Sequence, residues 1–358
     1  MNEAPINQTM QLWSKFCRDL EAAGQSVLSS DLQTTETERA EGLRYLTRLL
    51  RVGLDMHLEH GDPAYPSFYQ ASHATAKIGS DNPDNYYQNA TISGAHSYRI
   101  SGQRGTVPIL SFGTKANRYA VDGSMASTGE LDIRDVNLDG NGDFEIIVSR
   151  EKSEGDWLPL AEDSSILIVR QTFFDRANEI AATVKIEALD GGTTPPVLKM
   201  ETLTSALTRV PAFVNGTSTI FKNWAEVFRA ENRNALNTAD QTMFIKAGGD
   251  PMIHYLHGWW QLEDGQALRI TSPIPDCEGW NFQINNIWME SLDYRYHNIH
   301  NNNGLAELNE DGSVTVTVSA KPQPSNWIDT AGHNKGTMLW RWTGATDHPI
   351  PEVEIINV

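Results

Sequence analysis

Residues 326–342 bring together side chains that can transfer protons. Asp329 and His333 lie in a polar loop that follows a tryptophan, and the apolar run after the loop carries Arg341. A carboxylate beside an imidazole is suited to general acid–base catalysis, and loops between rigid strands often carry such groups. We predict that His333 transfers a proton and Asp329 orients it, while Arg341 or Arg295 holds an oxyanion or a carboxylate.

A second polar run, residues 288–297, contributes Glu290 as a further acid or base. Charged groups beside Trp and Tyr are typical of a binding wall, but they are equally typical of a solvated loop. A third candidate is the polar turn of residues 81–85, whose amide and carboxylate groups suit a polar ligand or an ordinary structural turn. The predicted ligand-binding residues are Asp81, Asn82, Trp288, Asp293, Tyr294, Arg295, His297 and Asn326.

One segment imitates a calcium loop. Its oxygen-bearing residues are Asp135, Asn137, Asp139 and Asp143, with glycine at the sixth position. The twelfth position holds Ile146, where a calcium loop carries a bidentate glutamate. Asp, Asn and Gly also form ordinary hairpin turns, so we predict a hairpin here, with calcium as the weaker alternative, and no other metal site.

Composition narrows the function classes. The chain has 358 residues and a net charge of -18, which disfavours nucleic acid and anionic membranes as partners. It contains no nucleophile elbow, phosphate loop or dinucleotide fingerprint, so we predict no organic cofactor. No apolar run approaches the roughly 18 residues of a membrane span, and the N-terminal residues lack the features of a signal peptide. We therefore expect a cytoplasmic protein.

The sequence contains an internal repeat. Pairs of identical residues recur at a nearly constant separation, which indicates duplication. The pairs are Arg99 and Arg269, Phe112 and Phe282, Val148 and Val318, and Trp157 and Trp327, all 170 residues apart, with Arg170 and Arg341 171 apart and Tyr86 and Tyr255 169 apart. Asp329 and His333 have no such counterparts, because Pro159 and Asp163 stand 170 residues earlier. Residues peculiar to the second copy are the better candidates for function.

Helical and β patterns alternate along the chain. We predict a helical segment at residues 1–63, a β-sandwich at 64–196, a second helical segment at 197–247 and a second β-sandwich at 248–358. The predicted fold class is mainly β with helical additions, namely tandem duplicated jelly-roll-like β-sandwiches.

Five stretches have distinctive sequences, namely residues 79–87, 98–105, 156–160, 169–175 and 326–333. They resemble bacterial proteins of the domain-of-unknown-function 1214 family. The resemblance covers most of residues 60–350 and implies jelly-roll-like β domains, in agreement with the repeat. It implies no reaction, substrate or catalytic residue.

Two functions are compatible with these features. The first is a cofactor-independent acid–base enzyme of the lyase or hydrolase type, acting on a small organic or carbohydrate-like molecule in a groove between the two β domains. The alternative is a non-catalytic carbohydrate-binding or shell-like assembly protein, since paired sandwiches also serve such functions. Both leave self-association into a homo-oligomer open.

Overall fold

The structure is a computed structural model that describes residues 3–192, 194–238 and 240–358. Over these residues the chain forms four α-helices and seventeen β-strands. The helices are α1 (Glu3–Leu28), α2 (Glu36–Leu54), α3 (Met200–Glu231) and α4 (Gln241–Lys246). Short helical turns follow α2 (Asp55–Glu59, π-helical) and precede the calcium-like loop (Ile133–Asp135, 3-10).

The strands divide into two sets around α3. The first set is β1 (Asn85–Thr91), β2 (Tyr98–Gln103), β3 (Ile109–Arg118), β4 (Ser124–Asp132), β5 (Asp143–Ser149), β6 (Trp157–Pro159), β7 (Ile166–Thr172) and β8 (Thr183–Ala188). After α3 come β9 (Ala235–Asn237), β10 (Ile253–Gln261), β11 (Gln266–Ser272), β12 (Gly279–Ile284), β13 (His300–Asn302), β14 (Val314–Ser319), β15 (Trp327–Asp329), β16 (Lys335–Thr343) and β17 (Glu352–Asn357).

The predicted duplication is confirmed by the strand order. The first sandwich pairs a sheet of order β1-β7-β3-β4 with one of order β6-β5-β2-β8, and the second repeats this as β10-β16-β12-β13 and β15-β14-β11-β17. Val148 lies opposite Tyr98, and Val318 lies opposite Leu268, so the offset of 170 is kept in the register. The fold is mainly β with helical additions and duplicated sandwiches. Each copy also contains one parallel strand pair, β5 with β6 and β14 with β15.

One predicted repeat pair changes partner. In the β1–β7 pair Tyr87 lies opposite Arg170, and in the β10–β16 pair Tyr255 lies opposite Arg341. Tyr87, rather than Tyr86, is therefore the counterpart of Tyr255. A shift of one residue moves a strand side chain to the other face of the sheet, and Tyr86 accordingly lies on the exposed side.

Three large apolar cores and one small cluster between α1 and α3 are found among the described residues. Each sandwich has its own core between its two sheets. A third core joins the helices to the sheets β1-β7-β3-β4 and β10-β16-β12-β13, which we call the inner sheets. Strand β12 is buried along its whole length, because an inner sheet is covered on both faces. The space between the inner sheets and α3 is the central layer of the fold.

Helix α2 is set firmly against the second sandwich. Thr35 and Glu38 form the predicted capping box at its start, which satisfies two free backbone N–H groups. Gly42 allows the close approach of Trp288, since an added Cβ would lie 3.1 Å from the indole ring. Among the described helices, none combines the length and apolar character needed to cross a bilayer.

Candidate functional site

The predicted catalytic residues lie in two separate places. His333 lies beside α2 in the wall of a pocket of about 160 Å³ that we call the polar pocket. Glu290 lies behind this wall, bonded to the lining residues Arg48 and Asn286. Its walls include Glu41, Arg44, Arg48, Lys77, His297 and His333. Arg341 lies elsewhere, in a cavity of about 170 Å³ between the two inner sheets and α3, which we call the interdomain cavity.

His333 has a different partner from the one predicted. Its Nε2 lies 3.0 Å from Oε1 of Glu41, while Nδ1 lies 3.1 Å from the carbonyl oxygens of Thr330 and Ala331. Because both ring nitrogens face acceptors, the imidazole is protonated in this arrangement. Burial lowers the pKa of His333, but the hydrogen bond and charge of Glu41 outweigh burial, so this pKa lies above its ordinary value. His333 is therefore poorly suited to act as a base.

Asp329 does not orient His333. Its Oδ2 lies 2.7 Å from Nδ1 of His297, and its Oδ1 accepts a hydrogen bond of 2.9 Å from the backbone of Ala331. The sequence places Asp329 and His333 close together, but Asp329 ends strand β15 and turns toward the loop of residues 288–297. This explains why the predicted pair does not form.

Glu290 is a fully buried acid that is already paired. It accepts hydrogen bonds of 2.6 Å from Arg48 and 2.9 Å from the side chain of Asn286, which also lies 3.4 Å from Glu41. Burial raises the pKa of Glu290. The polar pocket is thus bounded by a network in which each buried acid faces a cation, Glu290 facing Arg48 and Glu41 facing His333.

The remaining ligand-binding candidates near this pocket have mostly local partners. Asp293 and Arg295 form a partly exposed ion pair at 2.6 Å, and the hydrogen bond from Arg295 lowers the pKa of Asp293 to about 2. The ring of Tyr294 lies under the Lys77 ammonium, 4.6 Å from its centroid. Trp288 is fully buried and belongs to the third core, so it does not form a binding wall.

Asn326 and the calcium-like loop make turns. Asn326 has φ 45° and donates its amide to the carbonyl oxygens of Glu307 and Thr315. In the calcium-like loop, Oδ1 of Asp139 accepts hydrogen bonds from the backbone of Asn141 and Asp143, as in an ordinary hairpin turn. Asn137 bonds to Asp156 instead, and Asp135 ends the 3-10 turn. Within the described residues, no group of three or more His, Cys, Asp or Glu side chains could hold a metal ion.

The interdomain cavity combines apolar walls with a set of polar groups. Its apolar walls include Phe213, Phe221 and Trp224 from α3, Phe244 from α4, Ile168 from β7 and Leu339 from β16. The polar groups are Tyr87, Arg170, Tyr255, His257 and Arg341, together with Ser72, Ser80, Asp81, Asn82, Asn85, Asn89 and Tyr119. An apolar pocket between two domains with a small number of convergent polar groups is the usual form of a small-molecule site.

The segment before β1 closes one side of this cavity. Gly79 and Ser80 both have φ 59°, and an added Cβ at Gly79 would lie 2.4 Å from the ring of Phe221. The carboxylate of Asp81 accepts hydrogen bonds from the backbone and hydroxyl of Ser291, at 3.0 and 2.9 Å. The polar turn predicted from sequence therefore forms part of the cavity wall. The Asp81 carboxylate holds this wall in place through its hydrogen bonds with Ser291.

His257 lies in an aromatic cage at the cavity. Its ring centroid is 4.7 Å from that of Phe228 and 4.5 Å from that of Phe244. Burial lowers the pKa of His257 well below its ordinary value, so the imidazole is neutral at physiological pH. Its Nδ1 is buried without a hydrogen-bond partner among the described residues. Most buried polar atoms have a partner, so this unpaired nitrogen sets His257 apart within the cavity wall.

Sequence reasoning missed Glu41, Arg44 and Arg48 as members of the polar pocket. A signal was present, because residues three and seven positions apart lie on one face of a helix. His257 and Tyr87 carried no such signal, since their significance depends on the pairing of distant strands.

Comparison with known proteins agrees with the fold and adds no activity. The sequence model of a family described as "Protein of unknown function (DUF1214)" matches residues 264–346. A crystal structure of an uncharacterized protein from Burkholderia cenocepacia is 45% identical, with 98% of each chain covered and a TM-score of 0.94. A protein from Vibrio parahaemolyticus shares only the fold, at 10% identity and a TM-score of 0.51, with 96% of this chain and 99% of that chain covered. No curated protein matches. The chain belongs to the DUF1214 family of proteins of unknown function.

Proposed function

We propose that the protein is an acid–base enzyme that takes a small organic molecule into the interdomain cavity. The observation that carries the proposal is the cavity itself, about 170 Å³ between the two sandwiches, with aromatic walls and the neutral imidazole of His257. A cavity of roughly 150 Å³ accommodates a benzene ring, so the ligand body is expected to be about the size of one ring.

The chemistry begins with proton transfer at His257. A neutral imidazole can accept a proton, whereas His333 already carries one between Glu41 and two carbonyl oxygens. The aromatic cage excludes water from His257 and holds its ring in place. Lyase and hydrolase reactions both require such a transfer, and the proposal therefore keeps the predicted class of reaction while assigning its base to another histidine.

The lining favours an organic molecule over a carbohydrate. Each sugar hydroxyl that enters an apolar site needs a hydrogen-bond partner. The rings of Phe213, Phe221 and Phe244 form part of the wall, and they offer none. An apolar ligand body with one or two polar substituents matches the cavity better.

A deuterium-exchange experiment tests the proposal. Ring-sized organic compounds are first screened for binding by calorimetry, and the compounds that bind are then incubated with the protein in D₂O. NMR follows both deuterium uptake and product formation. His257→Phe keeps the ring shape and should lower turnover by about 100-fold or more while binding persists.

His254→Phe is the matched control. His254 lies on the same strand, three residues away, and stacks on His348 outside the cavity. It should retain the activity of the wild type. Full activity of the His257→Phe variant would contradict the role of His257, and failure of every compound to bind would contradict the cavity as the site.

A further inference from the structure

The duplication places two arginines at equivalent positions in the cavity. Arg170 lies opposite Tyr87 in the first sandwich, and Arg341 lies opposite Tyr255 in the second. Both guanidinium groups are buried and both line the interdomain cavity. Any difference between their surroundings therefore arises from the divergence of the two copies rather than from their place in the fold.

The segments before β1 and β10 are also equivalent. The backbone N–H of Asn82 donates to the hydroxyl of Tyr87 at 3.1 Å, and that of Asp250 donates to the hydroxyl of Tyr255 at 2.8 Å. In each case the tyrosine stands five residues after the donor. Asn82 and Asp250 thus occupy the same position in the two copies.

These two residues reach across to the opposite sandwich. Ser111 donates to Oδ2 of Asp250 at 3.2 Å, and Asn281 donates to Oδ1 of Asn82 at 2.9 Å. Ser111 and Asn281 each lie on the strand beside the arginine of their own sandwich. Asp250, which precedes β10, therefore lies near Arg170 of the first sandwich. Asn82, which precedes β1, lies near Arg341 of the second.

The two arginines differ in charge compensation. Nη1 of Arg170 lies 3.6 Å from Oδ2 of Asp250, which is too long for a hydrogen bond but within ion-pair distance. The equivalent residue for Arg341 is Asn82, which carries no charge. All three side-chain hydrogen bonds of Arg341 go to neutral oxygens, namely Asn281 Oδ1 at 3.1 Å, Gln283 Oε1 at 2.6 Å and Ser80 O at 2.5 Å. Within the described part of the chain, Arg341 forms no ion pair.

A buried cation without a counter-ion is unfavourable unless something else supplies the opposite charge. Asp81 and Asp84 are near enough to act on Arg341 through their charge, but neither forms an ion pair with it, because Asp81 is bound to Ser291 and Asp84 to His300. Three hydrogen bonds use three of the five N–H groups of a guanidinium, which leaves two free. A carboxylate can accept both, and such charge-assisted pairs are among the strongest hydrogen bonds in proteins.

We infer that the ligand of the interdomain cavity is a small organic carboxylate and that Arg341 binds its carboxylate group. The inference rests on the proposed function, since it concerns the same cavity. The ligand carboxylate supplies to Arg341 the negative charge that Asp250 supplies to Arg170. The apolar body of the acid packs against Phe213 and Phe221 from α3.

Calorimetry with matched acids and amides tests this inference. The probes are benzoate, cyclohexanecarboxylate and propionate, each compared with its primary amide, which has nearly the same shape but no charge. Wild-type protein should bind at least one acid about ten times more tightly than its amide. Asn82→Asp adds a carboxylate on the Arg341 side without changing the side-chain shape, and it should remove most of that preference.

Asp250→Asn is the control, because it removes the charge beside Arg170 and leaves the surroundings of Arg341 unchanged. It should not weaken binding of the acid. Equal binding of acids and amides by the wild type, or an unchanged preference in the folded Asn82→Asp variant, would overturn the carboxylate inference while leaving the cavity as a binding site. Absence of binding by every acid, amide and neutral ring compound would overturn the proposed function as well.

Discussion

The polar pocket and the interdomain cavity both contain arginines, but they differ in how charge is balanced. In the polar pocket Arg48 faces Glu290 at 2.6 Å, and His333 faces Glu41 at 3.0 Å. In the interdomain cavity Arg341 has only neutral hydrogen-bond partners. The charged groups of the polar pocket are paired within the protein, whereas Arg341 has no ion-pair partner among the described residues.

This difference suggests a structural role for the polar pocket and a ligand-binding role for the interdomain cavity. Glu41 and Arg48 belong to α2, whereas Glu290 and His333 belong to the second sandwich, so the complete network joins two parts of the fold. Perturbed acids and bases also occur in structural networks, and the chemical character of the polar pocket alone therefore does not identify it as a catalytic site. The incomplete charge at Arg341 is the better indicator of a ligand.

The largest effect on stability is expected from Glu290→Gln. Removing one partner of a buried ion pair leaves the other uncompensated, and the side chains of Glu290 and Arg48 are 1% and 12% exposed. We expect a loss of roughly 2 to 4 kcal/mol in the free energy of unfolding, measured by urea denaturation. Glu187→Gln, which breaks the exposed pair with Arg99, should cost less than about 1 kcal/mol. Equal losses of stability from the two changes would contradict a structural role for the Arg48–Glu290 pair.

A smaller effect is expected from Gly79→Ala, which tests the wall of the cavity. Gly79 has φ 59°, and an added Cβ would meet the ring of Phe221 at 2.4 Å. Gly312→Ala is the matched control, because Gly312 has φ 81° and nothing lies within 4 Å of its added Cβ. Both variants should lose about 1 kcal/mol from backbone strain.

Gly79→Ala should lose roughly 1 kcal/mol more through overpacking. It should also weaken ligand binding, since Phe221 lines the cavity. Binding is measured by calorimetry on the folded fraction at low temperature. Identical stability and affinity in the two variants would show that the close contact between Gly79 and Phe221 has no role.

The smallest effect is a pH dependence through His333. Its folded pKa lies above the ordinary value of 6.5, so its contribution to stability is complete below about pH 6.5 and is lost as pH rises through the folded pKa. The charged hydrogen bond to Glu41 should contribute on the order of 1 kcal/mol. Urea denaturation from pH 6 to pH 9 should show this loss in the wild type but not in His333→Gln. The same loss in both proteins would assign it to another group.

The repeat made the β architecture predictable from sequence. Residues such as Trp157 and Trp327 stabilise both copies in the same way, since each indole donates to the carbonyl of the serine eight residues earlier. The constant separation of 170 residues between such pairs therefore indicated a duplicated sandwich fold. The strand registers of the two copies keep this separation.

The site was less predictable, for two physical reasons. The partner of His333 is Glu41, which is 292 residues away, and no local pattern encodes a contact of that range. Arg341 was grouped with His333 because they are close in sequence, yet Arg341 lies near the far end of strand β16 and His333 lies before its start. Six residues of strand from Lys335 to Arg341 span about 20 Å, so the two side chains reach different cavities.

The most direct test of the account is a crystal structure of the protein with the most tightly bound acid of the panel. We expect the ligand in the interdomain cavity, with its carboxylate oxygens about 3 Å from the guanidinium nitrogens of Arg341 and its apolar body against α3. A carboxylate bound at Arg48 in the polar pocket, or a ligand whose carboxylate points away from Arg341, would contradict the central claim.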